Sequence, residues 1–354
     1  MLTRHHKLTL AVLLCVASLL QPSRAVAAQS EVALNQIKTT LLRKPAGHVH
    51  QVVAAPGGGF VIRDSDYKDE TTQAVELYSD SGYYCGKFGG FGRAPGQYYR
   101  LKSIAVAADQ TLWLADVIGR ISRFNMEGWL MNTKLIQRPG YQVDWLLLDE
   151  AHGAYYLAGY LPKKVYIDYG CQLVHKYDLK EDAYSQSFLD NDPEVLEKNL
   201  TALSDLVVDS DARGRLYVVD APVMKLSVLE PESGKIETVP IKSQLIKPVS
   251  PLASGVERAN EAFENSYLID RVVVGDGHAV VSVRQPKNAG FVLQIFTDDG
   301  RQVASDVAAP GQLVGKTSDG HFYFVTQKSG GFELAEFELS AGNRGKQTAT
   351  RGRL

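Results

Sequence analysis

The stretch GKFGGFGRAPGQYYRLKSIAVAADQTLWLADVIGRISRFNMEG, Gly86 to Gly128, decides the fold. It opens on a glycine-rich turn and the pair Tyr98-Tyr99, then enters an alternating apolar segment from Ser103 to Ala107 and a polar turn at Asp109-Gln110. Leu112 to Ala115 reads as a second strand that ends on Asp116. Arg120 starts a third that ends at Phe124, and Glu127-Gly128 turns the chain again. Period-two alternation marks half-buried strands, and Asp, Asn and Gly clusters mark the turns between them. The unit is a run of antiparallel strands joined by tight turns.

Along the rest of the chain the same landmarks recur. An apolar pair follows a first turn at Phe60-Val61, Leu112-Trp113, Tyr155-Tyr156, Leu216-Tyr217, Ala279-Val280 and Phe322-Tyr323. A second apolar landmark recurs at Tyr78, Phe124, Tyr177, Leu229, Phe296 and Phe337, at spacings of 41 to 67 residues. That is the period of four-stranded propeller blades with insertions. The count is six blades, with seven as the alternative. Two helical segments interrupt the pattern: Pro193 to Leu203, where Asp192-Pro193-Glu194 is a helix start, and Gly255 to Tyr267. Both fall between repeats.

The ends complete the ring. The sixth repeat supplies three strands, near 312–317, 321–326 and 332–339, and then gives way to a polar tail. Gln36 to Lys44 is strand-like and precedes the first repeat, so pairing it with the sixth closes the ring and removes an exposed sheet edge. The expected fold is all-β: a six-bladed β-propeller of four-stranded antiparallel blades, closed by an N-terminal strand.

Residues 1–28 read as a secretory leader, with basic residues at 4–7, an apolar run from Leu8 to Leu20 and small residues at Ala25-Val26-Ala27. The expected organisation is a leader over 1–28, one propeller domain over 29–340 and a disordered basic tail over 341–354. The product is exported, periplasmic or extracellular, without a transmembrane segment, and monomeric. The whole chain carries a net charge of −2; without the leader and the basic tail the body carries −9. Phosphate backbones require a basic face, so nucleic acid is excluded as a partner. Cys85 and Cys171 lie in different repeats and are expected as separate thiols.

Residues 86–128 resemble an NHL repeat: a glycine-rich entry, a strand, a polar turn, hydrophobic-x-x-Asp, then Arg and an aromatic before a glycine turn. Leu216 to Gly234 repeats the second half, with Asp220 and Lys225 in place of Asp116 and Arg120. The resemblance implies a six-bladed propeller as in bacterial exported proteins. It also implies functions ranging from scaffolds and ligand binders to metal-dependent lyases and lactonases, among which fold alone does not choose.

The candidate chemistry is sparse. Asp116 with Arg120, and Asp220 with Lys225, read as structural pairs that tie strands. Six histidines, His48, His50, His152, His175, His278 and His321, raise zinc as in NHL-like lyases, but no HExxH or CxxC spacing supports it. The acidic loop 64–70 offers oxygen ligands for calcium without an EF-hand glycine. No GxSxG nucleophile or phosphate-binding GK[ST] is present. No catalytic residue or metal ligand is assigned, and no cofactor is expected. The candidate binding surface is the face formed by connections between repeats and those after each second strand: Arg93, Tyr98, Tyr99 and Arg100, with Tyr160, Tyr166 and Tyr169 on the insertion 160–172. Aromatic residues with arginine suit a protein, peptide or carbohydrate ligand.

Overall fold

The computed structural model describes residues 32–43, 47–66, 69–136, 142–160, 172–252 and 256–341. A first strand, β1 (Val32–Leu42), is followed by five sequential four-stranded sheets. Blade 1 is β2–β5 (His48–Ala54, Phe60–Asp66, Asp69–Tyr78, Tyr84–Phe88) and blade 2 is β6–β9 (Leu101–Val106, Thr111–Asp116, Arg120–Asn125, Leu130–Leu135). Blade 3 is β10–β13 (Gln142–Asp149, Ala154–Tyr160, Gln172–Asp178, Tyr184–Asp190). Helix α1 (Pro193–Glu197) precedes blade 4, β14–β17 (Leu206–Ser210, Leu216–Asp220, Val223–Glu230, Lys235–Pro240). Helix α2 (Val256–Asn265) precedes blade 5, β18–β21 (Leu268–Gly275, His278–Arg284, Phe291–Thr297, Gln302–Ala308).

Blade 6 contains β22–β24 (Gln312–Lys316, Phe322–Lys328, Gly331–Ala341), and its fourth strand is β1. The β1–β24 ladder runs antiparallel from Val32 opposite Ala341 to Leu42 opposite Phe332. The innermost strands β2, β6, β10, β14, β18 and β22 lie side by side in that order, and β22 returns to β2. This is the six-bladed ring with its N-terminal closure. The expectations about residues 1–31, the tail 342–354, Cys171, Tyr166 and Tyr169 concern residues outside those described. Among the described residues, no helix is long and apolar enough to cross a membrane.

The repeating apolar landmarks explain the packing. Every member of both sets, from Phe60-Val61 to Phe337, is buried. They fill apolar layers between neighbouring sheets: Trp113, Tyr155 and Tyr177 between blades 2 and 3, and Phe60, Tyr78 and Tyr323 between blades 6 and 1. A second strand is thus covered on both faces, and in β7 all six residues are buried.

Polar stitches join the inner strands. The Gln51 amide donates to Ile104 O at 2.8 Å and accepts from Ile104 N at 3.0 Å, extending a ladder from blade 1 to blade 2. Ser103 Oγ donates to Leu146 O at 3.2 Å, Leu206 N–H to Asp144 Oδ2 at 3.4 Å, and Val274 N–H to Asp209 Oδ2 at 2.7 Å. Lys316 Nζ donates to Val274 O at 2.9 Å. The last junction has no room for a side chain: a Cβ on Gly315 of blade 6 would lie 2.0 Å from Val52 O of blade 1. Closure of the ring therefore rests on a glycine at one seam and on a strand ladder at the blade it completes.

Candidate functional site

Five of the six inner strands carry a β-bulge at their entry end. The ladder register shifts across Val49/Gln51, Leu101/Ser103, Val143/Trp145, Ile269/Arg271 and Leu313/Gly315. A bulge inserts one residue without a cross-strand partner and re-aims its side chain. The inserted residues are His50, Lys102, Asp144, Asp270 and Val314. In blade 4 the ladder begins at Leu206, and Asp205 stands just before it.

Four of these bulge residues and Asp205 line a cavity of about 360 Å³. It opens on the face of the interblade connections, at the axis of the ring, and takes residues from blades 1 to 5. Its charged lining is Arg63, Arg100, Lys102, Arg271 and Arg284 against Asp144, Asp205 and Asp270. Leu203, Val207, Phe263, Leu268 and Ile269 form apolar wall.

Lys102 crosses from blade 2 to two other blades. Its Nζ lies 3.1 Å from Asp144 Oδ1 and 3.0 Å from Asp205 Oδ1. Burial pulls the ammonium down, but the two carboxylates outweigh it and hold Lys102 above its ordinary range. Asp144 is only 3% exposed. Burial pushes its carboxyl up to about 7, against the attraction of Lys102 and with the repulsion of Asp205. Asp270 is also pushed up by burial, opposed chiefly by Arg271. Burial, followed by Arg63 and Arg271, holds the His50 ring well below its usual value and so neutral. The Arg271 guanidinium lies 4.5 Å from the Trp145 ring centroid, and its Nη2 donates to His50 O. Arg284 stacks 3.7 Å from the Phe263 ring of α2 and donates to Phe263 O.

Of the surface expected from sequence, Arg100 lines this cavity, with a left-handed backbone at φ 53°. Arg93 and Tyr99 pack on each other 5.1 Å apart in the neighbouring loop. Tyr160 closes strand β11 opposite Gln142. Tyr98 requires correction: it is 3% exposed, and its hydroxyl donates to Gln73 O at 3.3 Å and Phe88 O at 3.4 Å. The glycine-rich loop folds over its ring, which a Cβ at Gly89 would approach to 3.0 Å, so Tyr98 belongs to the core.

The two acid–base pairs differ. Asp116 Oδ2 accepts from Arg120 Nε at 3.0 Å and Nη2 at 2.8 Å, and from Tyr99 N–H at 3.0 Å; Oδ1 accepts from Arg120 N–H at 3.0 Å. The guanidinium also donates to Arg93 O at 2.7 Å and Gly92 O at 2.9 Å, fastening the glycine-rich loop to blade 2. Asp220 and Lys225 form no such pair, which is a second correction. Asp220 Oδ1 accepts from Ser204 Oγ at 2.8 Å, whereas Lys225 Nζ reaches Asp192 Oδ2 at 2.6 Å. The partners are one residue further apart than in blade 2, and on a strand one residue turns a side chain to the other face. Asp192 is also the N-cap of α1, accepting from Glu194 N–H at 2.9 Å.

The histidines are held locally. His152 Nδ1 is 2.8 Å from Asp149, His321 Nδ1 is 2.7 Å from Glu336, and His175 Nδ1 is 2.6 Å from Ser187. Among the described residues, no three His, Cys, Asp or Glu side chains are grouped to hold a metal ion. In the acidic loop Asp64 is buried at the end nearest the axis, and residues 67 and 68 lie outside those described. Cys85 is an exposed free thiol.

The sequence matches no family model and no curated protein. Solved structures do resemble it. One is a Bacteroides fragilis protein assigned as exported, at a TM-score of 0.57 and 11% identity, over 89% of this chain and 97% of that one. The WD40 repeats of RRP9 align at 0.53 and 10%, over 86% and 100%. Virginiamycin B lyase from Staphylococcus aureus aligns at 0.50 and 9%, over 87% and 99%. At such identities the likeness is one of fold.

Proposed function

We propose that the chain is an exported, NHL-like propeller that acts as a binding module and takes a carbohydrate, a peptide or a segment of a protein into the cavity on its loop face. The observation that carries this reading is the set of bulges: the inner strands of blades 1, 2, 3 and 5 each break their ladder to deliver one residue to a single concave site. A strand that gives up ladder hydrogen bonds to face a charge inward does so at a stability cost, and such departures concentrate at functional sites. The basic, apolar and small-residue pattern at 4–27 supports export.

One observation favours catalysis as a second reading. Asp144 faces the cavity with its carboxyl pushed up to about 7, the range of a general base, as a lyase or lactonase on this fold would need.

Fragment mapping by amide NMR tests the first reading and works with a ligand of any class. Sugars and short peptides that bind should shift the amides of His50, Arg100, Lys102 and Asp270 together. Shifts gathered instead around Lys316 and Asp209, or along the outer strands, would refute it.

A further inference from the structure

We propose that the seam between blades 2 and 3 holds a second binding site, which takes a small oxyanion: a phosphate group or the carboxylate of an organic acid. It shares no residue with the axial cavity.

The register of blade 2 builds the site. Trp113 of β7 stands opposite Arg123 of β8, and Arg123 stands opposite Asn132 of β9. Ile121 and Lys134 form the neighbouring pair. Residues two apart on a strand share a face, so these side chains make one surface of the blade. The turn between β12 and β13 of blade 3 crosses it, where Lys134 Nζ donates to Asp182 O at 2.6 Å and lies 2.9 Å from Asp182 Oδ1. The enclosed cavity, about 220 Å³, is lined by that surface together with Leu179, Lys180 and Asp182.

The first ground is how the guanidinium is held. Arg123 lies 4.4 Å from the Trp113 ring centroid, and an aromatic face attracts a cation without cancelling its charge. The ring is fixed in turn: its Nε1–H donates to Thr111 Oγ1 at 3.1 Å, and it packs 5.5 Å from Tyr155, which stacks on Tyr177 at 4.9 Å. A guanidinium whose plane is set in this way presents paired donors to the oxygens of a carboxylate or phosphate.

The second ground is that donors here lack acceptors. Asp109 reaches Arg123 Nη2 through one bond of 3.3 Å, and its side chain is 57% exposed, so solvent screens the pair. Arg123 Nε is buried without a hydrogen-bond partner among the described residues. Asp182 Oδ1 is already engaged by the Tyr155 hydroxyl at 2.5 Å and by Lys134. Asn132 and Lys180 line the cavity, and among the described residues neither side chain has a polar partner. An oxyanion supplies acceptors to Arg123, Asn132 and Lys180 at once. The volume is below that of drug-sized ligand sites and suits such a group with a few atoms of its carrier.

Sodium phosphate and sodium acetate are the probes, with sodium chloride at matched ionic strength as the control. Amide and indole NMR of the full chain reads the Trp113 Nε1–H and the Asn132 side-chain amide, which report the site directly. Phosphate or acetate should move both signals saturably, with a midpoint below about 10 mM, and chloride should not. A tighter phosphate midpoint assigns a phosphoryl ligand, and a tighter acetate midpoint a carboxylate. Arg123→Met should weaken binding by about tenfold and the exposed Lys180→Met by about threefold. The Lys180 variant touches no packed contact, so it decides the matter even if loss of the Arg123 stack disturbs the fold. Absence of saturation by both probes, equal shifts in chloride, or a midpoint unchanged in Lys180→Met would overturn the proposal.

Discussion

Blade 2 contributes to two acid–base constellations of opposite character. In the first, Asp116 and Arg120 sit four residues apart on one hairpin. They are 1% and 7% exposed, with N–H donors on both carboxylate oxygens and backbone carbonyls around the guanidinium. In the second, Lys102 reaches across the channel to Asp144 and Asp205 on other blades. There, among the described residues, Asp144 receives Lys102 and one long backbone bond, and its carboxyl is pushed up to about 7. A charge whose bonding capacity is met within its own blade is a clamp. One that shares its counter-ion across a cavity, with capacity left over, is available to a ligand. The two differ in how they respond to mutation and to pH.

The largest expected effect is on the clamp. Asp116→Ala leaves the Arg120 guanidinium buried without its carboxylate and releases the glycine-rich loop, at a cost of about 3–5 kcal/mol. Urea unfolding measures it, and the Lys102 and Asp144 signals of the folded fraction should be unchanged. A loss below about 1 kcal/mol would erase the distinction between the two sites.

Lys102→Met should cost less, about 1–3 kcal/mol at pH 6, because the Asp144 it leaves behind can take up a proton, whereas the guanidinium left by Asp116→Ala stays charged. The pH dependence has a definite sign. Removing Lys102 removes the attraction that lowers Asp144, so its folded value rises further above the unfolded one. An acid raised by folding adds stability at low pH and loses it as pH climbs toward the folded value. The deficit of the variant should therefore widen between pH 6 and pH 8. A constant deficit would mean that Asp144 does not titrate in the folded protein.

These contrasts also explain what could be read in the chain. The blades were legible because burial between two sheets requires apolar pairs at fixed places, and all twelve landmarks serve that purpose. Ring closure was legible because a three-stranded last repeat leaves a free edge beside a strand at the other end. The Asp116–Arg120 geometry is local, four residues across a turn. Lys102 and Asp205 lie 103 residues apart and meet only once the ring has closed. Yet a signal for the cavity was present: Val49-His50-Gln51-Val52, Leu101-Lys102-Ser103-Ile104, Val143-Asp144-Trp145-Leu146 and Ile269-Asp270-Arg271-Val272 share one pattern. In each, a titratable residue interrupts an apolar strand at the same place, which is how a bulge at a functional rim looks in sequence. Weight given to aromatic residues led instead to Tyr98, whose ring the loop covers.

Asp144→Asn sharpens the pH contrast with a smaller change. In the wild type, the contribution of Asp144 to stability declines as pH rises from the ordinary carboxylate range to about 7, because its folded value is raised above the unfolded one. Asparagine keeps the shape and removes the titration. The variant should gain melting temperature relative to wild type by a few degrees at pH 8 and little at pH 5. Parallel melting profiles over that range would show that Asp144 is fully paired, as Asp116 is.

The smallest effect on stability belongs to Asp205, whose side chain is 57% exposed. Its bridge to Lys102 is screened by solvent, and Asp205→Asn should change stability by less than about 1 kcal/mol. Its charge nevertheless raises Asp144, and its oxygen competes with Asp144 for the Lys102 ammonium. Both influences disappear in the variant and act in one direction, so Asp144 should titrate below about 7. Carboxyl carbon NMR of Asp144 follows that midpoint directly. A midpoint unmoved or higher after Asp205→Asn would show that the three groups are not one system, and the cavity pair would then reduce to a local contact between Lys102 and Asp144. A downward shift with unchanged stability is a combination that the Asp116 clamp cannot give, since no neighbour can be removed from it without loss of structure.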